Sequence, residues 1–534
     1  MHNFKIKQLT SFIYLRYCFL LLIFLLSLSL PLNAGRYNPF VWTTYKEFTH
    51  IYSIAINMDE VYFGSDDAIL RFNRIEKKWD EPITKSNGFD DTNVRIVAID
   101  RNFNKLWIVS LNSVSVYIPQ IAFWERKIPL VSISLTSVAS IGFNRDKIFL
   151  VGKEGIFASN RGAYLWQRWS GALPQDVEWF GEKDKTDVRD YPFLVPYYAQ
   201  DKYFHRYEYT SIAVDNKDMW IGSNGYGVYY DNTYTWNGNH YSTGIANNRV
   251  DAIFTDGKFF WLGGRNGTGK GITFINFHTG EGQYYRSEDI YGMDSDNIYA
   301  MTGNSKNIWF GTGSGLLKYN KDKKTWKTYN LFDGLPGEIV KALILKEDTL
   351  FIGTNQGLAY LPPESKDIFT FDFFNNISIN SLSEYDTRLL IGCEDGAFSK
   401  HDKLFDKISD PDGDFAFGVS AIFADNNAVW FGTTRHGIDI YFPDSSKWEE
   451  YLFPTPICGE WVFAISGNKD YVWIGTDNGV TRYNKKLKMW KTFNESDGLA
   501  NNEVRTIYLD KDYVWFGTTN GLTRLKYRDP SVLP

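Results

Sequence analysis

Val472-Trp473-Ile474-Gly475-Thr476-Asp477-Asn478-Gly479-Val480-Thr481-Arg482-Tyr483 returns 42 residues later as Val514-Trp515-Phe516-Gly517-Thr518-Thr519-Asn520-Gly521-Leu522-Thr523-Arg524-Leu525. Each copy is an apolar run, a turn with Asn-Gly, and a second alternating run, which is the pattern of a β-hairpin. Worked backwards, the aromatic or apolar position of the motif falls at Trp473, Trp430, Leu390, Phe351, Trp309, Trp261, Trp220, Phe149, Trp107 and Tyr62, so Trp515 ends a series of eleven. Nearly all spacings are 39–48 residues; one, between Phe149 and Trp220, is 71 and marks an insertion at about 178–208.

Each unit reads as four strands. In the tenth they are expected at 461–466, 471–475, 480–484 and 489–493. One such sheet cannot bury both faces alone, but stacked radially it becomes a blade of a β-propeller. The eleventh unit ends after its third strand. The fourth strand elsewhere carries Trp-Lys-Thr-aromatic, as at Trp326-Lys327-Thr328-Tyr329, and Trp42-Thr43-Thr44-Tyr45 supplies a matching strand near the N-terminus. The fold class is therefore all-β, a propeller of about eleven four-stranded repeats closed by an N-terminal strand. Eleven exceeds the usual four to eight blades. One large ring and two rings both remain open, and two would have to be nested if the ends meet.

Composition bounds the function. The 534 residues carry a net charge of −6, which excludes the basic face a nucleic-acid binder needs. Lys5, Lys7 and Arg16, the apolar run 17–30 and Asn33-Ala34-Gly35 have the order of a secretory signal peptide over residues 1–34. Leu32 at the −3 position leaves retention as an anchor open. The expected location is periplasmic, cell-surface or extracellular, with no membrane span after cleavage. Cys393 and Cys458 remain; two separate buried thiols are expected, with a pairing between them left open.

The connection Asp497-Gly498-Leu499-Ala500-Asn501-Asn502-Glu503-Val504, with Trp515-Phe516-Gly517-Thr518 after it, resembles the two-component regulator propeller repeat, as does Asp333-Gly334-Leu335-Pro336-Gly337-Glu338-Ile339-Val340. The resemblance covers nearly the whole chain after the signal segment. It implies an exported propeller that senses a ligand, often an oligosaccharide, or serves as a standalone surface or secretion protein. No span or kinase follows the last repeat in this sequence, so the standalone form is the expectation.

Other motifs carry less. Gly264-Arg265-Asn266-Gly267-Thr268-Gly269-Lys270 imitates a phosphate loop, but Gly271 stands where Ser or Thr should, and Ile272-Thr273-Phe274-Ile275 reads as a strand. It is an enlarged hairpin turn. Asp410-Pro411-Asp412-Gly413-Asp414 lacks the later glutamate of a calcium loop. The histidines have no zinc-site spacing, and no Gly-x-Ser-x-Gly elbow occurs. No metal, cofactor or catalytic residue is expected, and the protein is read as no enzyme. Polysaccharide hydrolysis stays an alternative, because carboxylates from distant blades can meet in space.

Strand alternation puts the blade-to-blade connections and the turns between second and third strands on one face. That face would collect the insertion, with Trp179, Tyr191, Tyr197 and Tyr198, the turn with Arg265 and Lys270, the turn with Arg435 and His436, and Trp461. Aromatics beside polar groups suit recognition of sugar or peptide. These nine residues are the ligand-binding candidates. The expected function is an exported, non-enzymatic binding propeller with a protein partner or glycan ligand, an accessory of a surface or secretion assembly. The alternative is a glycan sensor working with a separate signalling protein. Sixteen of the 18 tryptophans fall in or beside second and fourth strands and read as packing, which leaves Trp179 and Trp461.

Overall fold

A computed structural model describes residues 41–184, 186–234, 238–265, 271–402, 404–410, 413, 415 and 418–533. The segment expected to be a signal peptide, Trp236, Lys270 and most of the Asp410–Asp414 cluster lie outside the described residues. The chain forms eleven antiparallel sheets, blades 1 to 11 in chain order. Blade 10 has strands Val462–Gly467, Tyr471–Thr476, Gly479–Asn484 and Met489–Phe493, each bound within a residue of its expected place. Blade 11 has Val504–Leu509, Val514–Thr518 and Gly521–Leu525. Its fourth strand is Trp42–Tyr45, with Trp42 opposite Leu525 and Tyr45 opposite Leu522. The N-terminal strand thus covers the edge that blade 11 would otherwise expose.

The repeat motif explains its own turn. Thr476 donates its hydroxyl to the Gly479 carbonyl at 3.0 Å and accepts the Asn478 N–H at 3.1 Å. Thr312, Thr354 and Thr518 do the same to Gly315, Gly357 and Gly521. Gly479 sits at φ 112°, a conformation that a side chain would oppose. Cys393 occupies the threonine position of blade 8, its thiol 3.4 Å from the Gly396 carbonyl. Both cysteines are free thiols; Cys393 is buried, but Cys458 is only half-buried, short of the expected burial, and burial pushes Cys393 up to about 11. Native protein should therefore leave Cys393 unlabelled by a thiol reagent until it unfolds, and reductant should not shift the unfolding midpoint. A reductant-dependent midpoint would contradict this.

The motif's glycine shows how blades stack. A methyl group on Gly263, Gly311, Gly353, Gly392, Gly432 or Gly475 would lie within 2.9 Å of Ile298, Val340, Ile379, Val419, Val462 or Val504, the first-strand residue of the next blade. Gly517 of blade 11 makes this approach to Val250, just before blade 5, not to blade 1. First-strand contacts follow the same circuit through blades 5 to 11 and back to 5. Blades 1 to 4 form a second group. Gly222 of blade 4 packs on Ile51 of blade 1, and Gly64 of blade 1 packs on Val94, ahead of blade 2. Of the alternatives left open by sequence, the contacts match two rings, with blades 1–4 inserted between the closing strand and blade 5.

Two chain crossings join the rings side by side. Phe48 N–H donates to Thr243 O at 3.3 Å, Ile245 N–H to Lys46 O at 3.0 Å, and the Thr243 hydroxyl to Phe48 O at 2.6 Å. The seven second-strand tryptophans, Trp107, Trp220, Trp261, Trp309, Trp430, Trp473 and Trp515, are all buried. Six of them meet aromatics of the following blade, as Trp261 meets Phe310 at 5.6 Å and Trp473 meets Phe516 at 5.5 Å, while Trp309 packs on Leu350 and Ile352. Such rings bury much area at each blade contact. Among the described tryptophans, Trp461 alone is exposed.

Candidate functional site

The insertion is built into the sheets. Its strand Glu178–Gly181 pairs with Ser140–Phe143 of blade 3, and its strand Tyr198–Gln200 pairs with the start of Arg206–Asp215 in blade 4. It thereby adds a strand to the sheets of both blade 3 and blade 4. Its far end reaches the other ring: Lys202 and Tyr203 both engage Asp289, and Arg286 lies 5.4 Å over the Tyr203 ring. Asp201 organises this bend. Burial alone would raise its carboxyl, but hydrogen bonds from His205 and Tyr207 hold it below the ordinary value.

Two hollows border the insertion. A cavity of about 710 Å³ occupies the middle of the four-blade ring, lined in part by Tyr52, Arg95, Lys153, Glu182 and Asp187. A cleft of about 500 Å³ adjoins it, lined by Asp187, Arg189, Tyr197, Tyr198 and Glu208. Thr186, Asp187 and residues 210–212 border both. Tyr198 is half-buried, and Arg206 lies 4.8 Å over its ring. Arg189 grips Asp187 through Nε and Nη2 at 3.0 and 2.6 Å and holds that carboxyl down to about 2. Charged groups and two phenol rings thus face one opening.

The other candidates divide. Trp179 is a packing residue: its indole covers Gly142, where a methyl would meet Cε3 at 2.6 Å, and it meets Phe149 at 6.2 Å. Tyr191 packs against the small core of Leu194, Ile212 and Ile221. Arg435 and His436 form the turn of blade 9, where His436 N–H donates to Thr433 Oγ1 at 3.0 Å. Arg265 and Trp461 belong, with them, to the seven-blade ring. The single face expected from sequence is therefore shared between two rings. Within a blade the turn and the connection do share one side: in blade 10 the turn residue Asp477 donates its N–H to Trp461 O at 3.1 Å, on the connection before the first strand.

Arg265 and Trp461 are joined by residues that sequence reading missed. In blades 6 to 11 a β-bulge follows the first buried Val or Ile of the first strand. The bulged residues are Tyr299, Lys341, Asn380, Ser420, Phe463 and Arg505. Bulges re-aim side chains, often beside functional sites. Here contacts run from one blade to the next. Lys341 Nζ donates to Asn380 Oδ1 at 3.4 Å, Ser420 Oγ to Val462 O at 2.5 Å, and Arg505 lies 3.7 Å over Phe463. Arg505 Nε then reaches Asp251 Oδ1 at 3.2 Å, and Phe463 meets Trp461 at 6.4 Å. The available signal was the residue after each repeat's entry Val or Ile, a position that varies in chemistry while its neighbours do not.

Residues 498–520, the connection and the first two strands of blade 11, match the family described as two component regulator propeller. No curated protein matches the chain. Among solved structures, PorZ of Porphyromonas gingivalis, an essential bacterial surface component of the type-IX secretion system, is similar with 12% identity over 91% of this chain and 87% of that one, TM-score 0.49. The extracellular domain of a putative hybrid two component system of B. thetaiotaomicron is similar with 16% identity over 91% and 82%, TM-score 0.46. That of a putative one component system of B. thetaiotaomicron has 15% identity over 90% and 76%, TM-score 0.45. Among the described residues, no helix is long and apolar enough to cross a membrane, and no group of His, Cys, Asp and Glu could hold a metal ion.

Proposed function

We propose that this protein is an exported, non-enzymatic binding module that takes an oligosaccharide on the insertion side of its four-blade ring. The observation that carries the reading is the cleft where Tyr197 and Tyr198 stand beside Asp187, Arg189 and Glu208, open to the neighbouring cavity. A phenol ring offers a flat face to a sugar, and ionic groups around it orient hydroxyls. Export rests on the order of charges and apolar residues in the first 34 positions. The signal would pass to a separate surface protein, through this same side or through the ligand itself.

A panel of defined oligosaccharides tests the reading by calorimetry on the chain without its signal segment. At least one should bind saturably. Tyr198→Ala should weaken it about ten-fold, the loss of one aromatic contact, with the unfolding midpoint unchanged. Binding that ignores Tyr198→Ala, or turnover of the bound sugar, would contradict the proposal.

A further inference from the structure

At one end of the seven-blade ring, three guanidiniums converge on one carboxylate. Asp251 is 5% exposed at its side chain. It accepts Arg249 Nε at 2.8 Å and Nη2 at 3.1 Å, Arg265 Nη2 at 2.8 Å and Nε at 3.2 Å, and Arg505 Nε at 3.2 Å. The Arg265 backbone N–H adds a further bond at 2.9 Å. The arginines come from three places: the connection before blade 5, the turn of blade 5, and the bulge of blade 11. No local sequence logic brings them together; the closure of blade 11 on blade 5 does.

One carboxylate cannot neutralise three guanidiniums. Glu503, 39% exposed at its side chain, takes Arg505 Nη1 at 3.3 Å and leaves the group with one excess positive charge. Lys341 adds another cation from the next side, and Glu394 faces it. Burial first, and then the Arg265 charge, depress Arg505; Lys341 is depressed by burial, with Glu394 opposing and Arg265 adding a smaller lowering. This excess stands in a chain whose net charge is −6. The arginine side chains stay 18–30% exposed, and Arg249 Nη1, Arg265 Nη1 and Arg505 Nη2 have no partner among the described residues. Asp251 fixes the three planes, while their outer N–H groups remain available. Tyr299 under Arg265 and Phe463 under Arg505 flank them with apolar ring faces.

We propose that this cluster is an oxyanion-binding site, taking the carboxylate, sulfate or phosphate group of a ligand at the mouth of the seven-blade ring. Arginine suits the task because its fork of donors matches two oxygens of such a group at once. Asp251 acts as a positioning residue that keeps the forks in place. Trp461, exposed and next to Phe463, stands where a ring carrying the anion would rest. The site is separate from the tyrosine cleft, and neither proposal depends on the other.

The test measures sulfate, inorganic phosphate and glucuronate binding to the chain without its signal segment, by calorimetry at matched ionic strength with chloride as the reference. Saturable binding of at least one anion is expected, with a raised unfolding midpoint. Arg505→Gln should weaken it about ten-fold or more, the loss of a charge-assisted donor. Lys341→Gln, which leaves Asp251 and its partners intact, should weaken it less and serves if Arg505→Gln fails to fold. Preference for glucuronate over the inorganic ions would assign an acidic sugar, and the reverse a phosphate or sulfate group. No saturable binding of any of the three, or binding unchanged in both variants, would overturn the proposal.

Discussion

Gly517→Ala is expected to destabilise the folded chain by about 3 kcal/mol, the upper range for forcing atoms into a packed contact. The added methyl would lie 2.4 Å from Thr506 Cγ2 and 2.6 Å from the Val250 carbonyl oxygen. The first neighbour can turn away, but the second is backbone, and it is the point where blade 11 meets blade 5. Relief requires the two blades to part, which unpacks the aromatic cluster of Tyr45, Phe260, Phe277 and Trp515 behind them. Gly257→Asn is the control. Nothing lies within 4 Å of that position, so only the strain of a side chain at φ 91° is felt, and asparagine bears it better than most residues. It should cost about 1 kcal/mol, well below Gly517→Ala. Denaturant unfolding reads both. A neutral Gly517→Ala would mean that blade 11 does not close on blade 5.

Asp251→Asn is expected to cost about 3–5 kcal/mol at neutral pH, because removing one partner leaves buried charges uncompensated. Burial would raise the Asp251 carboxyl, but hydrogen bonds and charge from Arg249 and Arg265 outweigh it and hold the group below its ordinary value. A carboxyl lowered in the folded state gives its stability above the ordinary value of 3.8 and loses it as pH falls through the folded value. The parent should therefore lose stability on acidification in that window. The variant should lack that component. Superimposable pH profiles for the two proteins below pH 3.8 would contradict the assignment.

Much of this fold could be read directly from the chain. The hairpin of Trp473 and Gly479 repeats with so little variation that period, strand order and closing strand all follow from it. The reason is physical. The threonine, the glycine of the turn and the glycine beneath the next blade each answer a constraint that no other residue meets as well. Ring number was not legible, because it depends on which Val or Ile each glycine meets. Gly517 meets Val250 and Gly222 meets Ile51, and neither pair is near in sequence.

The sites were harder to see for a related reason. Tyr197 and Tyr198 drew attention because they sit in an insertion, outside the repeat. Arg505 and Lys341 sit inside the repeat at a position that looks like ordinary strand, and only the bulge turns them toward their neighbours. Trp179 shows that an aromatic in an insertion can also pack: Gly142 opposite it leaves the hollow that the indole fills. Arg265 was chosen for its enlarged turn, yet what gives it meaning is Asp251, fourteen residues earlier, and Arg505, from the far end of the chain.

As proposed, this propeller binds a ligand against its insertion. Hydrogen exchange on the chain without its signal segment, with and without the oligosaccharide selected by the binding panel, tests it most directly. Slowed exchange concentrated in residues 186–212 is the predicted result. Unchanged exchange there, with protection elsewhere or none at all, would contradict it.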